Sequence, residues 1–313
     1  MERIALITGI GLVSPLGGSA DETWDALLGG RCISDHARVS LPGPADRPRA
    51  TRLALQAARE AMAHAGWNDH DTRADETALV IGTSKGSVED WTTAGRVATC
   101  DGLADLASDV ARDCGFGMGP RLTLSAACAS GLHALIRAVM MIRGGEARRA
   151  LIVAAEASVT PLFIGSFRRL GVLAPEGHGC RPFDERRAGF LMSEAASAVC
   201  LEASDDATIG RAVAGVDRFA IGNDSTHLTG SDPEARVLRR MLQEVLHHGP
   251  IDLVHAHGTG TTANDAVELA AIESTAQEGG GAQLYSHKGA IGHSLGASGL
   301  VSIALNCQSH RHG

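Results

Sequence analysis

Leu124-Ser125-Ala126-Ala127-Cys128-Ala129-Ser130-Gly131 is the stretch that decides the fold. An apolar run from Arg121 to Ser125 ends in small residues that permit a sharp turn, and an amphipathic pattern begins right after the cysteine. Leu132, Leu135, Ile136, Val139 and Met140 fall at i, i+3, i+4, i+7 and i+8, one stripe facing a core, and Gly144-Gly145 ends it. Strand, tight turn and helix set the Cys128 thiol at a helix N-terminus. There the macrodipole and free N–H groups lower a thiol pKa, and the same N–H groups can stabilise an oxyanion on an attacked carbonyl. A buried core cysteine is the competing reading, and spacing alone leaves both open.

Outward from this segment, strand-like runs alternate with helical patterns, which argues for an α/β protein. Ile4 to Ser14, Thr77 to Ser84, Arg121 to Ser125, Arg149 to Ala155 and Ala195 to Leu201 form a first set of strands. Gly210 to Ile221, Ile251 to Ala256 and Leu284 to Ser286 form a shorter second set. Leu238, Met241, Leu242, Val245 and Leu246 repeat the helical stripe. Leu295 to Cys307 is apolar or small on every face, the composition of an interior helix. Leu41-Pro42-Gly43-Pro44 and Gly279-Gly280-Gly281 are turns by composition, and the tail Ser309 to Gly313 reads as a frayed end.

Bulk composition excludes several classes. The net charge of −8 argues against a nucleic-acid binder, which needs a basic surface to neutralise phosphates. No apolar run approaches the roughly 20 residues needed to cross a bilayer, and the N-terminus enters a strand without a signal-peptide layout. The seven cysteines are scattered with no close pair, which suits a reducing cytoplasm and no metal knuckle. Lysine occurs only at 85 and 288. A lysine kept in an arginine-rich chain points to a task for a compact, tunable charge, although chance explains Lys85 equally well.

Two further segments carry candidate chemistry. In His255-Ala256-His257-Gly258-Thr259-Gly260-Thr261 a buried strand ends in histidine and a Gly/Thr loop, the end of a strand at which ligands sit in α/β sheets. In Ser286-His287-Lys288-Gly289-Ala290-Ile291-Gly292-His293 a second histidine stands at a helix start, with a lysine five residues upstream. Each histidine alone is more often a satisfied core residue. Zinc competes as a reading, but no ligand set with suitable spacing accompanies them.

Taken together, the cysteine elbow, His257-Gly258-Thr259-Gly260-Thr261 and Lys288 through Gly292-His293 resemble the elongating, Cys-His-His type of β-ketoacyl-acyl-carrier-protein synthase, of the thiolase-like superfamily. Ile7 to Gly17, Arg181-Pro182-Phe183-Asp184 with Gly189-Phe190, Asp224 to Thr229, and Asn264-Asp265 with Glu268 are similar to the same family, in the right order. The resemblance implies a layered α-β-α-β-α fold of two related halves. Residues 1–205 would carry the nucleophile, and 206–313 both catalytic histidines. It implies that Cys128 is acylated from a phosphopantetheine thioester, and that a malonyl thioester then loses CO2 and condenses with the acyl group. His257 and His293 would donate hydrogen bonds to the enolate oxygen, Lys288 would support the site electrostatically, and Thr259 and Thr261 would bind the pantetheine arm. No resident cofactor or metal is implied, since the arm belongs to an acyl carrier protein. That partner is usually acidic, and Arg168-Arg169 and Arg186-Arg187 are candidates to dock it. The implied chain is a cytoplasmic acyltransferase of fatty acid or polyketide biosynthesis, paired with itself or with another synthase-like subunit.

The sequence also departs from the family. No Gly-Phe-Gly-Gly-Thr-Asn-like loop follows residue 305, so the second half is expected to be incomplete, short of two core strands, and to expose apolar surface. Ser302 stands in the place of a family glutamate that pairs with the lysine. Ser193-Glu194-Ala195-Ala196-Ser197 replaces a more Gly-rich run, and the stretches 34–49 and 86–121 are shorter than usual. The alternative function is a non-catalytic, chain-length-factor-like subunit of a condensing heterodimer. Such partners typically lose the cysteine that this chain keeps. A thiolase acting on coenzyme A thioesters is a distant third reading, because its second active-site cysteine has no counterpart.

Overall fold

In the computed structural model, which describes residues 3–43, 46–87, 102–226, 230, 232–246, 251–276 and 282–312, the strands in chain order are β1 (Ala5–Val13), β2 (Thr77–Gly82), β3 (Arg121–Leu124), β4 (Arg149–Glu156), β5 (Ala195–Ala203), β6 (Ala214–Val216), β7 (Leu253–His255) and β8 (Gln283–Tyr285). The helices are α1 (Ala20–Leu28), α2 (Arg49–Ala65), α3 (Asp69–Arg73), α4 (Asp105–Asp113), α5 (Ser130–Gly144), α6 (Pro161–Arg169), α7 (Asp206–Ile209), α8 (Arg236–Leu246), α9 (Thr262–Ala276), α10 (Lys288–Ile291) and α11 (Ser298–His312).

The glycines of β1 show how tightly the first layer closes. A Cβ on Gly9 would stand 2.2 Å from the Ala61 carbonyl oxygen, and one on Gly11 2.1 Å from that of Ala57. Only glycine lets α2 lie so close, and α2 answers with an alanine face: Ala54, Ala57, Ala58, Ala61 and Ala65 are all buried. Past Ile7, where β6 stops pairing with β1, α2 also supplies acceptors. Its Glu60 carboxylate accepts from Leu12 N at 2.8 Å and Ala20 N at 2.7 Å, and His64 Nδ1 accepts from Ile10 N at 3.2 Å. Backbone donors at a buried edge thus keep partners without a further strand.

The main sheet has the order β3-β2-β4-β5-β1-β6. β3, β2 and β4 run parallel, while β5 is antiparallel to both β4 and β1. On one face α2 and α4 cover Leu79, Ile81, Leu151 and Val153. On the other, α5 and α11 cover Val80, Ile152, Val199 and Leu201. The all-apolar helix is interior as expected: Leu300, Val301, Ala304 and Leu305 of α11 are buried. Beyond it lies a second sheet of parallel β7 and β8, and α8 and α9 pack on each other. Among the described residues no helix is long and apolar enough to cross a membrane.

Several sequence expectations need correction. The buried face of α5 is Ala134, Leu135, Ala138, Val139, Met141 and Ile142, while Leu132 and Met140 are 38% and 45% exposed. Small residues set that face because they allow close approach to the sheet, and the large-residue count missed them. β6 joins the main sheet beside β1 instead of the second sheet. The tail is helical to His312 and docked on α1. Trp24 stacks on His312 at 5.7 Å, and Gln308 Nε2 donates to Asp21 at 2.7 Å. The second sheet is open, with every residue of β8 exposed. Glu194, from the run that departs from the family, is fully buried and paired with Arg38 and Arg49. Residues 227–229 and 279–281 lie outside the described residues.

Candidate active site

β3 ends at Leu124 and the chain turns through Ala127, whose φ of +48° is the left-handed conformation that an elbow this tight requires. Ser130 closes the turn, accepting from Ala126 N at 2.9 Å and donating to Ala127 O at 2.7 Å. The small residues have steric reasons. A Cβ on Gly131 would press on Leu300 at 3.1 Å, so the elbow is where α5 and α11 touch.

α5 starts at Ser130, two residues beyond Cys128, and the N–H groups of Ala129 and Ser130 already donate to Ala126 O and Ala127 O. They are spent on the turn. The expected lowering of the Cys128 pKa is therefore not found: burial pushes the thiol up, the Lys288 ammonium opposes this, and the Glu156 carboxylate adds to it.

The groups expected to meet do meet. His293 Nε2 lies 3.2 Å from Cys128 Sγ, and the ring centroids of His257 and His293 are 5.4 Å apart, nearly perpendicular. His293 is fixed by its backbone, donating to Leu191 O at 2.7 Å and accepting from Ser193 N at 3.1 Å. The preceding Gly292 has φ +82°, and a Cβ there would meet Leu191 O at 2.9 Å. Lys288 is 1% exposed, and its Nζ donates to His257 O at 2.5 Å. Burial pulls the Lys288 pKa to about 8, with Glu268 the foremost opposing charge. Burial and then the lysine charge hold His293 well below its ordinary value. His257 is held low for the same two reasons, although the residue as a whole keeps solvent-exposed surface. Both imidazoles are neutral at physiological pH.

Thr259 and Thr261 sit in the loop after His257, their hydroxyls 2.9 Å apart. Thr259 is 5% exposed and turned toward Asp265, and Thr261 Oγ1 accepts from Asn264 N at the start of α9. The acids of α9 are what hold this loop. Glu268 accepts from His257 N at 2.6 Å and Gly258 N at 2.8 Å. Asp265 accepts from Thr259 N at 3.1 Å, Gly260 N at 3.0 Å and Phe183 N at 2.8 Å. Their spacing of three residues puts both on one helical face.

Sequence reasoning missed two features. Glu156, fully buried at the end of β4, accepts from Ser84 N at 3.0 Å, Ser84 Oγ at 2.6 Å, Ser158 Oγ at 2.6 Å and Gly296 N at 3.2 Å. It thereby ties the main sheet to the turn that follows His293. A charged residue closing an apolar strand was the available signal. The second is an apolar wall: Phe163, Ile164 and Phe167 of α6 pack with Cys128 and Phe190, and Phe190 meets His293 edge-on at 5.1 Å. Lys85 lies over the Phe163 ring at 5.4 Å.

Neutral imidazoles beside a sulfur suit a reaction that builds negative charge on a thioester oxygen. Fold and site together fit a thioester-condensing enzyme. Residues 45–207 match the family described as "Beta-ketoacyl synthase, N-terminal domain", and residues 213–313 match "Beta-ketoacyl synthase, C-terminal domain". The chain belongs to the β-ketoacyl synthase family and is an acyltransferase of its condensing type. It is 30% identical to "Putative polyketide beta-ketoacyl synthase 1" of Streptomyces halstedii, over 97% of this chain and 84% of that protein. It is 27% identical to "3-oxoacyl-[acyl-carrier-protein] synthase 2" of Coxiella burnetii (strain RSA 493 / Nine Mile phase I), over 97% of this chain and 85% of that protein. The solved structure titled "The ishigamide ketosynthase/chain length factor" superposes with a TM-score of 0.86 at 28% identity, covering all of this chain and 87% of that one.

Proposed function

We propose that this chain condenses an acyl thioester with a malonyl-acyl-carrier-protein thioester, with loss of CO2, in fatty acid or polyketide biosynthesis. The observation that carries the reading is the 3.2 Å contact of Cys128 Sγ with His293 Nε2, with the His257 ring alongside. In the first half-reaction Cys128 sulfur attacks the acyl thioester carbonyl. His293 Nε2–H, 3.2 Å from Sγ, hydrogen-bonds the developing thiolate, and the thiol proton ends on the departing pantetheine thiol, so acylation is proton-neutral overall and His293 keeps its N–H for the second half-reaction.

In the second half-reaction the malonyl carboxylate departs as CO2, and its electron pair forms a thioester enolate. His257 and His293 donate N–H hydrogen bonds to the enolate oxygen, whose charge exists only at this stage. The enolate carbon attacks the acyl-cysteine carbonyl and expels the Cys128 thiolate, which takes up one proton from solvent, the proton that decarboxylation consumes overall. Burial keeps both imidazoles neutral, the Lys288 charge adds to this, and Lys288 also holds the His257 backbone. Glu268 and Asp265 hold the loop from which Thr259 and Thr261 bind the pantetheine arm.

The phosphopantetheine arrives on an acyl carrier protein, so the reaction needs no cofactor resident in the chain. Arg168 and Arg169, exposed at the end of α6 beside the apolar wall, suit an acidic carrier better than Arg186, which pairs with Asp184 at 3.2 Å. The nucleophile comes from residues 1–205 and the histidines and lysine from 206–313, so the site forms at the junction of two halves. A second synthase-like chain, identical or not, is the expected partner, and the likeness to a ketosynthase paired with a chain length factor supports it. The free thiols at Cys32, Cys114, Cys128, Cys180, Cys200 and Cys307 suit a cytoplasmic location.

Mass spectrometry after incubation with an acyl-carrier thioester tests the reading. Acylation at Cys128 and its release only with malonyl carrier are expected. A persistently unmodified thiol in folded protein would overturn it.

A further inference from the structure

Behind the reacting groups lies a second pair of imidazoles that the condensation does not use. His255 is the last residue of β7, two before His257, and His287 directly precedes Lys288 at the start of α10. Their rings meet, with His255 Nε2 2.8 Å from His287 Nδ1. His255 Nδ1 lies 2.7 Å from Asn306 Oδ1 on α11. The Ser298 hydroxyl lies 3.3 Å from His287 Nε2, and the Ser302 hydroxyl 3.4 Å from His287 Nδ1. His287 is fully buried.

One placement of protons satisfies the whole chain of contacts. Ser298 donates to His287 Nε2, His287 Nδ1–H to His255 Nε2, and His255 Nδ1–H to Asn306 Oδ1. The backbone N–H of His287 also points at His255 Nε2, 3.4 Å away, which agrees with that nitrogen being bare. Both rings are then neutral, with the proton on Nδ1. A buried polar chain in which every member is met rigidifies the segments it joins.

We infer that His255 and His287 form a neutral clamp that positions His257 and Lys288 against one another. The clamp ties the end of β7 to the start of α10, and the two active-site residues extend from those two segments, Lys288 Nζ reaching His257 O at 2.5 Å. Ser302, at the position where the family resemblance expects a glutamate for the lysine, instead adjoins His287. The ammonium is thus oriented by a carbonyl that the clamp fixes, and the neutral clamp adds no positive charge beside it. The inference rests on the roles proposed for His257 and Lys288.

Two variants and one spectrum test it. His287→Asn keeps a side-chain N–H near the place of Nδ1, and His287→Ala leaves His255 Nε2 without its donor. The alanine variant should lower kcat for malonyl-dependent condensation by about tenfold or more, the equivalent of about 1.4 kcal/mol. Single-turnover acylation of Cys128, which depends on the separately held His293, should stay close to wild type. The asparagine variant should recover most of the condensation rate. Wild-type condensation in the alanine variant, or parallel loss of acylation and condensation in both variants, overturns the clamp. Independently of turnover, 1H–15N spectra of the wild-type imidazole nitrogens should show both rings neutral and Nδ1-protonated from about pH 5.5 to 8. A ring titrating in that range overturns the clamp even in an inactive protein. Failure of the wild type to acylate at all would sink the proposed function, and the spectra would still decide the clamp.

Discussion

His293 and His257 serve one oxygen in the proposed condensation, but only His293 also touches the sulfur. Replacing each by alanine should therefore split the two half-reactions. His257→Ala should cut decarboxylation and condensation by about 100- to 1000-fold, the effect of removing one oxyanion donor, and leave Cys128 acylation nearly intact. His293→Ala should slow both. Single-turnover acylation and malonyl decarboxylation, measured separately, check this, and equal effects of the two variants would remove the distinction. That Cys128, His257, His293 and Lys288 belong to one cluster was legible because their small-residue neighbours are so specific. The electrostatics were not. The elbow sequence suggests an activated thiolate, yet the turn consumes the N–H groups after the cysteine and burial raises the thiol pKa. A helix start can be read from a sequence, but the desolvation around it cannot.

At the scale of elements, the closest contacts are made by the smallest residues. Gly11→Ala would drive a methyl into the Ala57 carbonyl oxygen, with no flexible side chain to yield. A loss of about 3 kcal/mol or more is expected from such overpacking, read as a lowered urea midpoint at unchanged m-value. Leu300→Ala, fully buried where α11 crosses the elbow, should cost about 2–5 kcal/mol, and it should also reduce acylation because α5 begins there. A neutral result for either variant would mean that the layers are not packed as described. The five strands before residue 204 were legible because buried strands are continuous apolar runs. The face of α5 was misread because alanine carries little hydrophobic signal, although it sets how near a helix can come. The pairing of β6 with β1 rests on a contact far away in the chain, which no local pattern encodes.

The whole molecule concentrates neutral histidines at one place, and this sets its response to pH. His255 is pushed down to about 4, and His287 and His293 lie well below their ordinary value, chiefly through burial. In the unfolded chain these rings take up protons near pH 6.5, while in the folded protein they do not. The unfolded state therefore binds more protons from about pH 6.5 down to about 4, and stability must fall as pH falls through that window, by about 1.4 kcal/mol per pH unit for each ring. Urea midpoints between about pH 5 and 7 should drop steeply, and the double variant His255→Asn with His287→Asn should flatten the slope by the share of two rings. An unchanged slope would mean that the pair titrates normally.

Sequence by itself determined the α/β class, the five strands of the first half, the interior helix and which side chains to look for at the site. Those properties lie in local periodicity and in short runs of glycine and small residues. Only the tertiary structure decided the state of those groups: a thiol raised instead of lowered, imidazoles held neutral, a lysine turned to a carbonyl, and two carboxylates of α9 holding the histidine loop. Charge in a protein interior depends on distances between segments brought together by folding, and on how much water they exclude.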